Sequence, residues 1–277
     1  MTDWWIQGEL KENLQEDICN MIKIKTEEDI ELMRASSNLV AKTHAQIASV
    51  IKSGITLLSL DKIAEEFIRD NGGIPAFKGY NGFPNTLCIS PNEQVVHGIP
   101  NHTKTKDGDI ISIDCGVYMN GFYGDSAYTY PIGEISEDAQ NLLDVTKESL
   151  YKGIEHCTDG NFIGDIGHAI QSYVESNGMS VVRELVGHGI GKNLHESPEV
   201  PNYGEKGRGE VLKEGMVLAV EPMVNLGTKS IYQHSDGWTI TTADNKFSAH
   251  FEHTIIVGKN KAEILTSFKN IESQLNG

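Results

Sequence analysis

The chain has 277 residues, of which 39% are hydrophobic and 22% charged, and its formal net charge is -16. This length allows one large domain or two ordinary ones, and the composition is typical of a globular protein with a true core. The acidic balance argues against nucleic-acid binding, because nucleic-acid-binding proteins normally present a basic surface. The acidity serves either solubility alone or, in part, the gathering of carboxylates to hold cations.

The sequence carries no sign of export or membrane insertion. No segment approaches the run of about 18 apolar residues that a membrane span needs, and the N-terminus is acidic where a secretory signal is basic. The four cysteines are scattered, with no CxxC pair: Cys19, Cys88, Cys115 and Cys157. We therefore expect reduced thiols in a cytoplasmic protein rather than a disulfide framework or a zinc ribbon.

The first elements are predicted to be helices. From Glu27 to Ile51 apolar side chains recur at helical spacing, and Thr26 followed by two glutamates predicts the start of this helix. A second helix is predicted over Leu60–Asn71, where two glycines end it. The stretch Ile74–Pro100 is rich in Gly, Pro and Asn, which predicts loops and short strands.

The middle of the chain predicts a hairpin over Asp109–Tyr130, because Asn120-Gly121 is a strong turn signal. Helices are predicted over Ser136–Cys157 and Ile163–Ser176. Strands are predicted over Val181–Val186, Met216–Val224, Trp238–Thr242 and Ala249–Val257, with a long loop over Gly187–Gly215.

No proline-rich or serine-rich linker divides the chain. Because helices, strands, helices and strands follow in that order, we predict one α+β domain with two similar halves. Residues 1–20 are predicted to form a lead-in segment and residues 21–277 a single domain. Internal sequence similarity is too weak to establish the repeat.

Two aspartates are expected to meet on the hairpin. With the turn at Asn120-Gly121, Asp125 lies opposite Gly116, and Asp114 lies two residues from Gly116 on the same face. The two carboxylates are then diagonal neighbours, roughly 7–8 Å apart at Cα. If both are buried, one holds a proton or a cation lies between them. A pair of strand aspartates that face solvent is the alternative.

Three more side chains could join this pair. His188 lies between glycines in GHGIG, and Glu221 and Glu252 are predicted inside apolar strands. A glutamate is rarely buried without a partner, although exposure at a sheet edge would explain each one singly. The set is four carboxylates and one imidazole, and two divalent cations would cancel its charge. Such ligands suit Mn, Fe, Co or Zn, and metal pairs are a known hydrolytic device.

Spacing alone does not bring these residues together, and that step rests on a family resemblance carried by the motifs. HGIP, IDCG with GDSA, GHGIG with HE, EPMV and FEHT, in this order, resemble the compact bacterial form of the type 1 methionine aminopeptidases. The resemblance runs from Lys25 to Leu265. It implies an α+β "pita-bread" fold with two pseudo-symmetric halves around a central antiparallel sheet. Prolidases and aminopeptidases P share the order of the five metal ligands.

The resemblance implies a role for each candidate residue. Asp114 would bind one metal through both oxygens, Asp125 and Glu252 would bridge two metals, and His188 and Glu221 would complete the second. His97, in VVHGIP, resembles a histidine on the amine side of the substrate that assists catalysis. His195, in LHE, resembles the histidine that hydrogen-bonds the scissile carbonyl. A surface position is the alternative for each of these two histidines.

A pocket for the methionine side chain is implied by position, and its candidates are Phe77, Tyr80, Phe83, Cys88, Leu194 and Trp238. Ordinary core packing is the alternative for each, while an apolar, polarisable pocket would suit an unbranched thioether. Three residues depart from the family pattern, and they leave the shape of the pocket open but not the chemistry: Phe77, Leu194 and Phe251. Backbone oxygens near Asn92, Glu93 and Ser248 fall where some relatives bind a monovalent cation.

The function implied by the resemblance is removal of the initiator methionine from nascent proteins when the second residue is small. Two metals would lower the pKa of a bridging water. Glu221 would move the proton, and His195, with His97, would stabilise the oxyanion. The expected partner is the N-terminal Met of nascent peptides, with transient ribosome contact. We expect a monomer that binds neither nucleic acid nor membranes.

Two alternative functions remain. An Xaa-Pro aminopeptidase or prolidase usually carries a large N-terminal domain, for which the stretch before Asp114 is short, and HGIP and Trp238 favour methionine release. A non-catalytic binding protein of the same fold would have lost its metals. All five ligands are kept here and the chain is acidic, which argues against that second alternative.

Overall fold

The computed structural model of the protein describes residues 22–275. The predicted lead-in over residues 1–20 therefore lies outside the described residues, and the division at residue 21 stays a prediction. Five α-helices occur within this range: α1 (Glu27–Ala48), α2 (Leu57–Asp70), α3 (Glu137–Ile154), α4 (Ile163–Ser176) and α5 (Lys269–Leu275). None of these described helices is long and apolar enough to cross a membrane.

Side-chain caps set the starts of the first two helices. At the start of α1, Thr26 Oγ1 accepts a hydrogen bond from the amide of Asp29, whose carboxylate accepts one from the amide of Thr26. This reciprocal pair is a capping box, and it confirms the predicted start. The second helix begins earlier than predicted, because Thr56 Oγ1 caps it by accepting from the amide of Ser59.

The strands are short except for one hairpin. They are β1 (Ile74–Pro75), β2 (Leu87–Pro91), β3 (Gln94–Val96), β4 (Ile110–Met119), β5 (Phe122–Pro131), β6 (Ser180–Val181), β7 (Gly187–Gly189), β8 (Glu196–Val200), β9 (Val217–Val220), β10 (Met223–Asn225), β11 (Ile231–Gln233), β12 (Ile240–Thr242), β13 (Ser248–His250), β14 (His253–Ile256) and β15 (Glu263–Ile264). Every ladder between these strands is antiparallel.

The strands form four sheets within residues 22–275. The first joins β1, β4 and β2, with β5 also paired to β4, and the largest has the order β15-β14-β9-β7-β8. The two smaller sheets have the orders β13-β10-β6 and β11-β12-β3. Helix α1 packs on β4 and β5, whereas α3 packs on α4, β10 and β13. Two helical layers therefore cover the strands that carry the candidate residues.

The β4–β5 hairpin has the predicted turn and register. Asn120 and Gly121 have φ values of 54° and 87°, and this left-handed pair matches the type I′ turn that Asn-Gly favours. Gly116 pairs with Asp125 and Asp114 pairs with Ala127. The two aspartates are therefore diagonal neighbours on one face, as the sequence predicts.

Two strands that the sequence predicts as continuous are broken at a glutamate. The predicted strand Met216–Val224 divides into β9 and β10, so Glu221 lies in the gap and not within a strand. Pro222 follows it and has no N–H with which to continue a ladder. The predicted strand Ala249–Val257 likewise divides into β13 and β14, and Glu252 lies between them.

Other predicted boundaries also differ. In place of the strand predicted over Val181–Val186, the structure has only β6, and the amide of Val182 still donates to the carbonyl of Met223 next to it. The loop predicted over Gly187–Gly215 contains β7 and β8, because the glycines on either side of His188 allow close approach of neighbouring backbone. Within residues 22–275, Cys88, Cys115 and Cys157 are free thiols, whereas Cys19 lies outside the described residues.

Candidate metal centre

Asp125 is fixed by its own strand and by β14. Its Oδ1 accepts from the amide of Ser126 at 3.0 Å. Its backbone amide donates to Thr254 Oγ1 at 3.1 Å, and its carbonyl accepts from the same hydroxyl at 2.7 Å. The side chain is 4% exposed. Asp114, on the same face of the hairpin, is partly exposed as a residue, but its Oδ1 is buried.

His188 lies at the middle of β7, between β8 and β9. A Cβ atom at Gly187 or Gly189 would lie 2.3 Å from a backbone carbonyl oxygen, so only glycine allows the strand this close approach. The Nδ1–H of His188 donates to the carbonyl of Gly189 at 2.9 Å. This tautomer leaves the lone pair on Nε2, as a metal-binding imidazole requires.

Glu221 extends from the break after β9 into a site between two imidazoles. Its Oε1 lies 3.7 Å from His188 Nε2, and its Oε2 lies 3.4 Å from His250 Nε2. The backbone carbonyl of Glu221 accepts from Asn202 Nδ2 at 3.0 Å. This hydrogen bond holds the break in place and so fixes the origin of the carboxylate.

Glu252 reaches the cluster because its backbone docks on β5. Its amide donates to the carbonyl of Ala127 at 2.9 Å, and Ser126 Oγ donates to the carbonyl of Glu252 at 2.7 Å. The side chain, only 1% exposed, is thereby held next to that of Asp125. The second strand break is therefore what brings Glu252 to the hairpin.

Burial raises the pKa of each carboxyl group in this cluster. It raises the pKa of Asp125 and of Glu221 to about 8. Burial, and then repulsion from the neighbouring carboxylates, raises the pKa of Asp114 and of Glu252 well above the usual range. A cluster with these pKa values needs protons or cations to offset its charge at neutral pH.

The donor set fits a metal ion. One ligand atom from each of Asp125, His188 and Glu252 lies within 4.8 Å of the other two, and Asp114 and Glu221 lie outside this inner group. Asp114 Oδ1 and Glu252 Oε1 are buried without a hydrogen-bond partner in residues 22–275. Buried carboxylate oxygens are costly unless something positive contacts them. Oxygen ligands with one imidazole suit hard or borderline divalent cations.

His195 lies beside the cluster on the loop before β8. Its ring centroid is 4.3 Å from that of His188, and its Nδ1 lies 2.7 Å from the Tyr80 hydroxyl. Burial lowers the pKa of His195 below its usual value. If Nδ1 accepts from Tyr80, then Nε2 carries the hydrogen and can donate to a carbonyl oxygen.

His97 is held in an uncommon backbone conformation. Its φ of 59° lies in the left-handed region, which costs a non-glycine residue about 1–3 kcal/mol and is frequent at functional sites. The amide of Gly98 donates to Ser90 Oγ at 3.1 Å. The His97 ring meets Trp238 edge-on at 6.3 Å. Burial, with His250 and His195 nearby, lowers the pKa of His97 to about 4.

A cavity of about 390 Å³ joins these groups. Every residue that the sequence predicts for the site lines it: Phe77, Tyr80, Phe83, Cys88, His97, Asp114, Asp125, His188, Leu194, His195, Glu221, Trp238 and Glu252. The apolar members also pack together in one cluster, with Phe83 edge-on to Trp238 at 5.2 Å. The structure thus brings the predicted residues together, whereas their individual roles stay predictions.

The sequence model of Metallopeptidase family M24 matches residues 31–259. The chain belongs to this family. Methionine aminopeptidase 1 of Bacillus subtilis (strain 168) is 52% identical over 246 residues, which cover 89% of this chain and 99% of that protein. Family membership therefore rests on nearly the whole chain and not on the motifs alone.

Solved structures of the M24 family share the fold. The crystal structure of methionine aminopeptidase from Rickettsia prowazekii is 46% identical, with a TM-score of 0.88, and the match covers 89% of this chain and all (100%) of that one. The prolidase from Pyrococcus horikoshii OT3 is 22% identical with a TM-score of 0.76, and the match covers 96% of this chain and 72% of that one. At this level of identity the likeness shows the fold alone. The predicted α+β pita-bread fold is confirmed.

The departures from the family pattern fall in two places. Phe77 and Leu194 line the cavity, so they bear on its shape. Phe251 packs into the core, 4.9 Å from the Tyr128 ring and 6.0 Å from the Phe268 ring. Phe251 is not among the described residues that line the cavity, so its packing bears on the core instead.

The backbone near the predicted monovalent-cation position is already hydrogen-bonded. The carbonyl of Asn92 accepts from the amide of Ser248, and that of Glu93 accepts from the amide of Thr242, both at 2.9 Å. Each carbonyl keeps a second lone pair. A monovalent cation at this position stays a prediction.

Sequence reasoning missed several residues that line the cavity: Asn81, Val96, Glu184, Leu185, Val186, Met223 and His250. His250 is the one with chemistry, since its imidazole lies beside Glu221. The available signal was its position two residues before Glu252 in HFEHT. Tyr80 was predicted only as a pocket wall, and its hydrogen bond to His195 depends on a contact between distant segments.

Proposed function

We propose that the chain removes the N-terminal methionine from peptides by metal-dependent hydrolysis, with preference for a small second residue. One observation carries the proposal: a single cavity joins an apolar aromatic wall to a buried cluster of carboxylates and an imidazole. Relatives named methionine aminopeptidase, 52% identical over 89% of the chain, support it.

The proposed cofactor is a pair of divalent cations, of Co, Mn, Fe or Zn. They would be held by Asp114, Asp125, His188, Glu221 and Glu252. When bound, the cations acidify a water molecule and polarise the peptide carbonyl. The buried oxygens of Asp114 and Glu252 that lack hydrogen-bond partners in the described chain support this assignment.

The side chains around the cluster supply proton transfer and hydrogen bonds. Glu221 accepts the proton of the attacking water and passes it toward the leaving amine. His195 donates from Nε2 to the carbonyl oxygen as that oxygen gains charge, while Tyr80 holds Nδ1. His97, which is neutral because burial lowers its pKa to about 4, is placed on the amine side of the substrate and assists there.

The wall of the cavity is proposed to select methionine. Phe77, Phe83, Cys88 and Leu194 are all buried and pack in one apolar cluster with Trp238. A thioether side chain is flexible and polarisable, so it fills such a pocket well. Transient ribosome contact, a monomeric state and a cytoplasmic location are part of this proposal and rest on the family resemblance.

The test is release of methionine from Met-Ala-Ser, with an Xaa-Pro peptide in parallel, after metal is stripped and Co, Mn, Fe or Zn is added back. Metal-dependent release of methionine alone supports the proposal. Cleavage of only the proline peptide would contradict the proposal and indicate an Xaa-Pro specificity, as in prolidases. If the chain cleaves neither peptide and binds no metal, it is a non-catalytic binding protein with this fold.

A further inference from the structure

His250 lines the cavity beside Glu221, but the proposed set of ligands and catalytic groups does not use it. Its side chain is 2% exposed, and its Nε2 lies 3.4 Å from Glu221 Oε2. Within residues 22–275 this Nε2 has no hydrogen-bond partner of good geometry. A buried polar atom left unpaired costs about 1–3 kcal/mol, so its retention calls for a function.

The backbone of His250 is held from two sides. On one side it pairs with Met223 in the ladder between β13 and β10. On the other, its amide donates to Thr129 Oγ1 at 3.0 Å, and its carbonyl accepts from the same hydroxyl at 2.8 Å. Ser112 Oγ, at 2.9 Å, holds that threonine in turn. The imidazole therefore starts from a fixed point and can move only by rotating its side chain.

Glu221 needs such a neighbour. Its backbone is anchored by Asn202, but its carboxylate accepts no hydrogen bond from the described residues and approaches only His188 and His250, at 3.7 and 3.4 Å. A carboxylate that is free to rotate holds neither of its oxygens in a fixed orientation. A rotation of the His250 ring that pointed an Nε2–H at Oε2 would leave Oε1 on the side of His188.

We propose that His250 is a positioning residue that donates from Nε2 to Glu221 Oε2 and so orients the other oxygen toward the metal site. The inference rests on the proposed function, since Glu221 needs orienting only if it serves a metal and a proton. Partners that orient metal-binding carboxylates typically change metal affinity or activity by about 10–100-fold when they are lost. A hydrogen bond to a charged acceptor is also stronger than one between neutral groups.

Two variants separate the hydrogen bond from the volume of the ring. His250→Leu removes the donor and keeps apolar bulk, whereas His250→Gln places an amide N–H near the position of Nε2. His102→Leu, at an exposed loop position, is the matched control. On stripped protein we would measure Mn²⁺ binding by calorimetry, the visible spectrum with Co²⁺, kcat and KM for Met-Ala-Ser, and the Tm without metal.

In His250→Leu we expect at least one Mn²⁺ step to weaken by about 10–100-fold, with a lower kcat and an altered Co²⁺ spectrum. His250→Gln should stay within about threefold of the original chain, because the donor is restored. If His250→Leu does not fold, a His250→Asn variant, whose amide lies nearer the Nδ1 position, should fold and still bind Mn²⁺ weakly.

Unchanged Mn²⁺ affinity and kcat in His250→Leu would overturn the inference. So would a higher KM with unchanged metal affinity, since His250 would then contact substrate instead. If the original chain binds Mn²⁺ but releases no methionine, the proposed function fails while the comparison of affinities still tests His250. If the original chain binds no divalent cation, the proposed function and the proposed role of His250 are both wrong.

Discussion

The hydroxyl of Tyr80 lies 2.7 Å from Nδ1 of His195, and the two rings are 5.3 Å apart and tilted by 49°. Tyr80 comes from the short 3-10 turn after β1, and His195 from the loop between β7 and β8. Tyr80 therefore has two roles: its ring lines the cavity, and its hydroxyl fixes the orientation of the imidazole. A fixed Nδ1 leaves Nε2 as the donor toward substrate.

Replacing Tyr80 with Phe should therefore lower kcat while KM and metal content stay nearly constant. One hydrogen bond is worth about 1 kcal/mol, which corresponds to roughly a fivefold loss of kcat. Steady-state kinetics with Met-Ala-Ser and metal analysis would measure both quantities. Tyr232→Phe, at a 60% exposed position on β11, is the control. A rise in KM with unchanged kcat would mean that Tyr80 is only a wall of the pocket.

Replacing Glu252 with Gln should have opposite effects on function and on the stability of the metal-free protein. Activity and metal binding are expected to be lost, because a charged ligand is removed. The metal-free variant should nevertheless melt higher than the metal-free original. Burial and three neighbouring carboxylates raise the pKa of Glu252 well above its ordinary value, so folding at neutral pH must either bury its charge or take up a proton. A neutral amide relieves that cost.

Thermal unfolding at pH 7.5 with and without a chelator measures this effect. A gain of 1 kcal/mol raises Tm by about 2–4 °C in a domain of this size class. The exposed Glu134→Gln variant should change neither Tm nor activity. A metal-free Glu252→Gln protein that melts lower than the original would show that Glu252 stabilises the fold through hydrogen bonding rather than opposing it through charge.

Local chemistry made some features predictable. The Asn120-Gly121 turn and the alternation of the flanking strands depend only on nearby residues, so the hairpin and the diagonal pair Asp114 and Asp125 followed from the sequence. The helix starts at Thr26 and Ser136 are likewise local, since one side-chain oxygen caps each.

Contacts between distant segments account for what could not be predicted. Both Glu221 and Glu252 sit in apolar stretches that predict unbroken strands, yet each lies at a break. The break at Glu252 exists because its amide bonds to Ala127 of another strand. The place of His250 beside Glu221 depends on the pairing of β13 with β10. No periodicity within one segment carries that information.

The buried His44 predicts a pH dependence of stability. It lies between the Tyr130 hydroxyl at 2.9 Å and the carbonyl of Ser126 at 2.8 Å, and burial lowers its pKa from 6.5 to about 4. The unfolded chain therefore binds a proton that the folded chain does not, and stability falls as pH drops from 6.5 toward 4. The full loss is roughly 3 kcal/mol, at about 1.4 kcal/mol per pKa unit.

His44→Gln removes this titration and keeps an amide that can donate to Ser126. Urea unfolding of both proteins, each without metal so that the carboxylate cluster titrates alike, should show a flatter dependence on pH in the variant between pH 4 and 6.5. Above pH 6.5 the difference in free energy of unfolding between the two should be constant. A parallel pair of curves across the whole range would contradict the assignment.

The ion pair of Lys25 with Glu196 is almost fully buried, which sets it apart from the surface pairs. Lys25 Nζ lies 2.7 Å from Glu196 Oε2, and the two side chains are 6% and 4% exposed. The other oxygen of Glu196 accepts from the amide of Asn193 at 3.1 Å. The pair thus ties the segment before α1 to the loop that carries His195.

Removing either partner should cost more than removing both. Lys25→Met leaves a buried carboxylate alone, which typically costs about 3–5 kcal/mol, whereas the double variant with Glu196→Gln leaves no unpaired charge. The exposed pair of Lys62 and Glu66, 3.7 Å apart, is the control, with an expected coupling below about 1 kcal/mol. Urea unfolding of the four proteins in each cycle, the original chain, the two single variants and the double variant, gives the two coupling energies. If the Lys25–Glu196 coupling is as small as the control, the loop is held by Asn193 and its backbone, and kcat should then be unchanged in Lys25→Met as well.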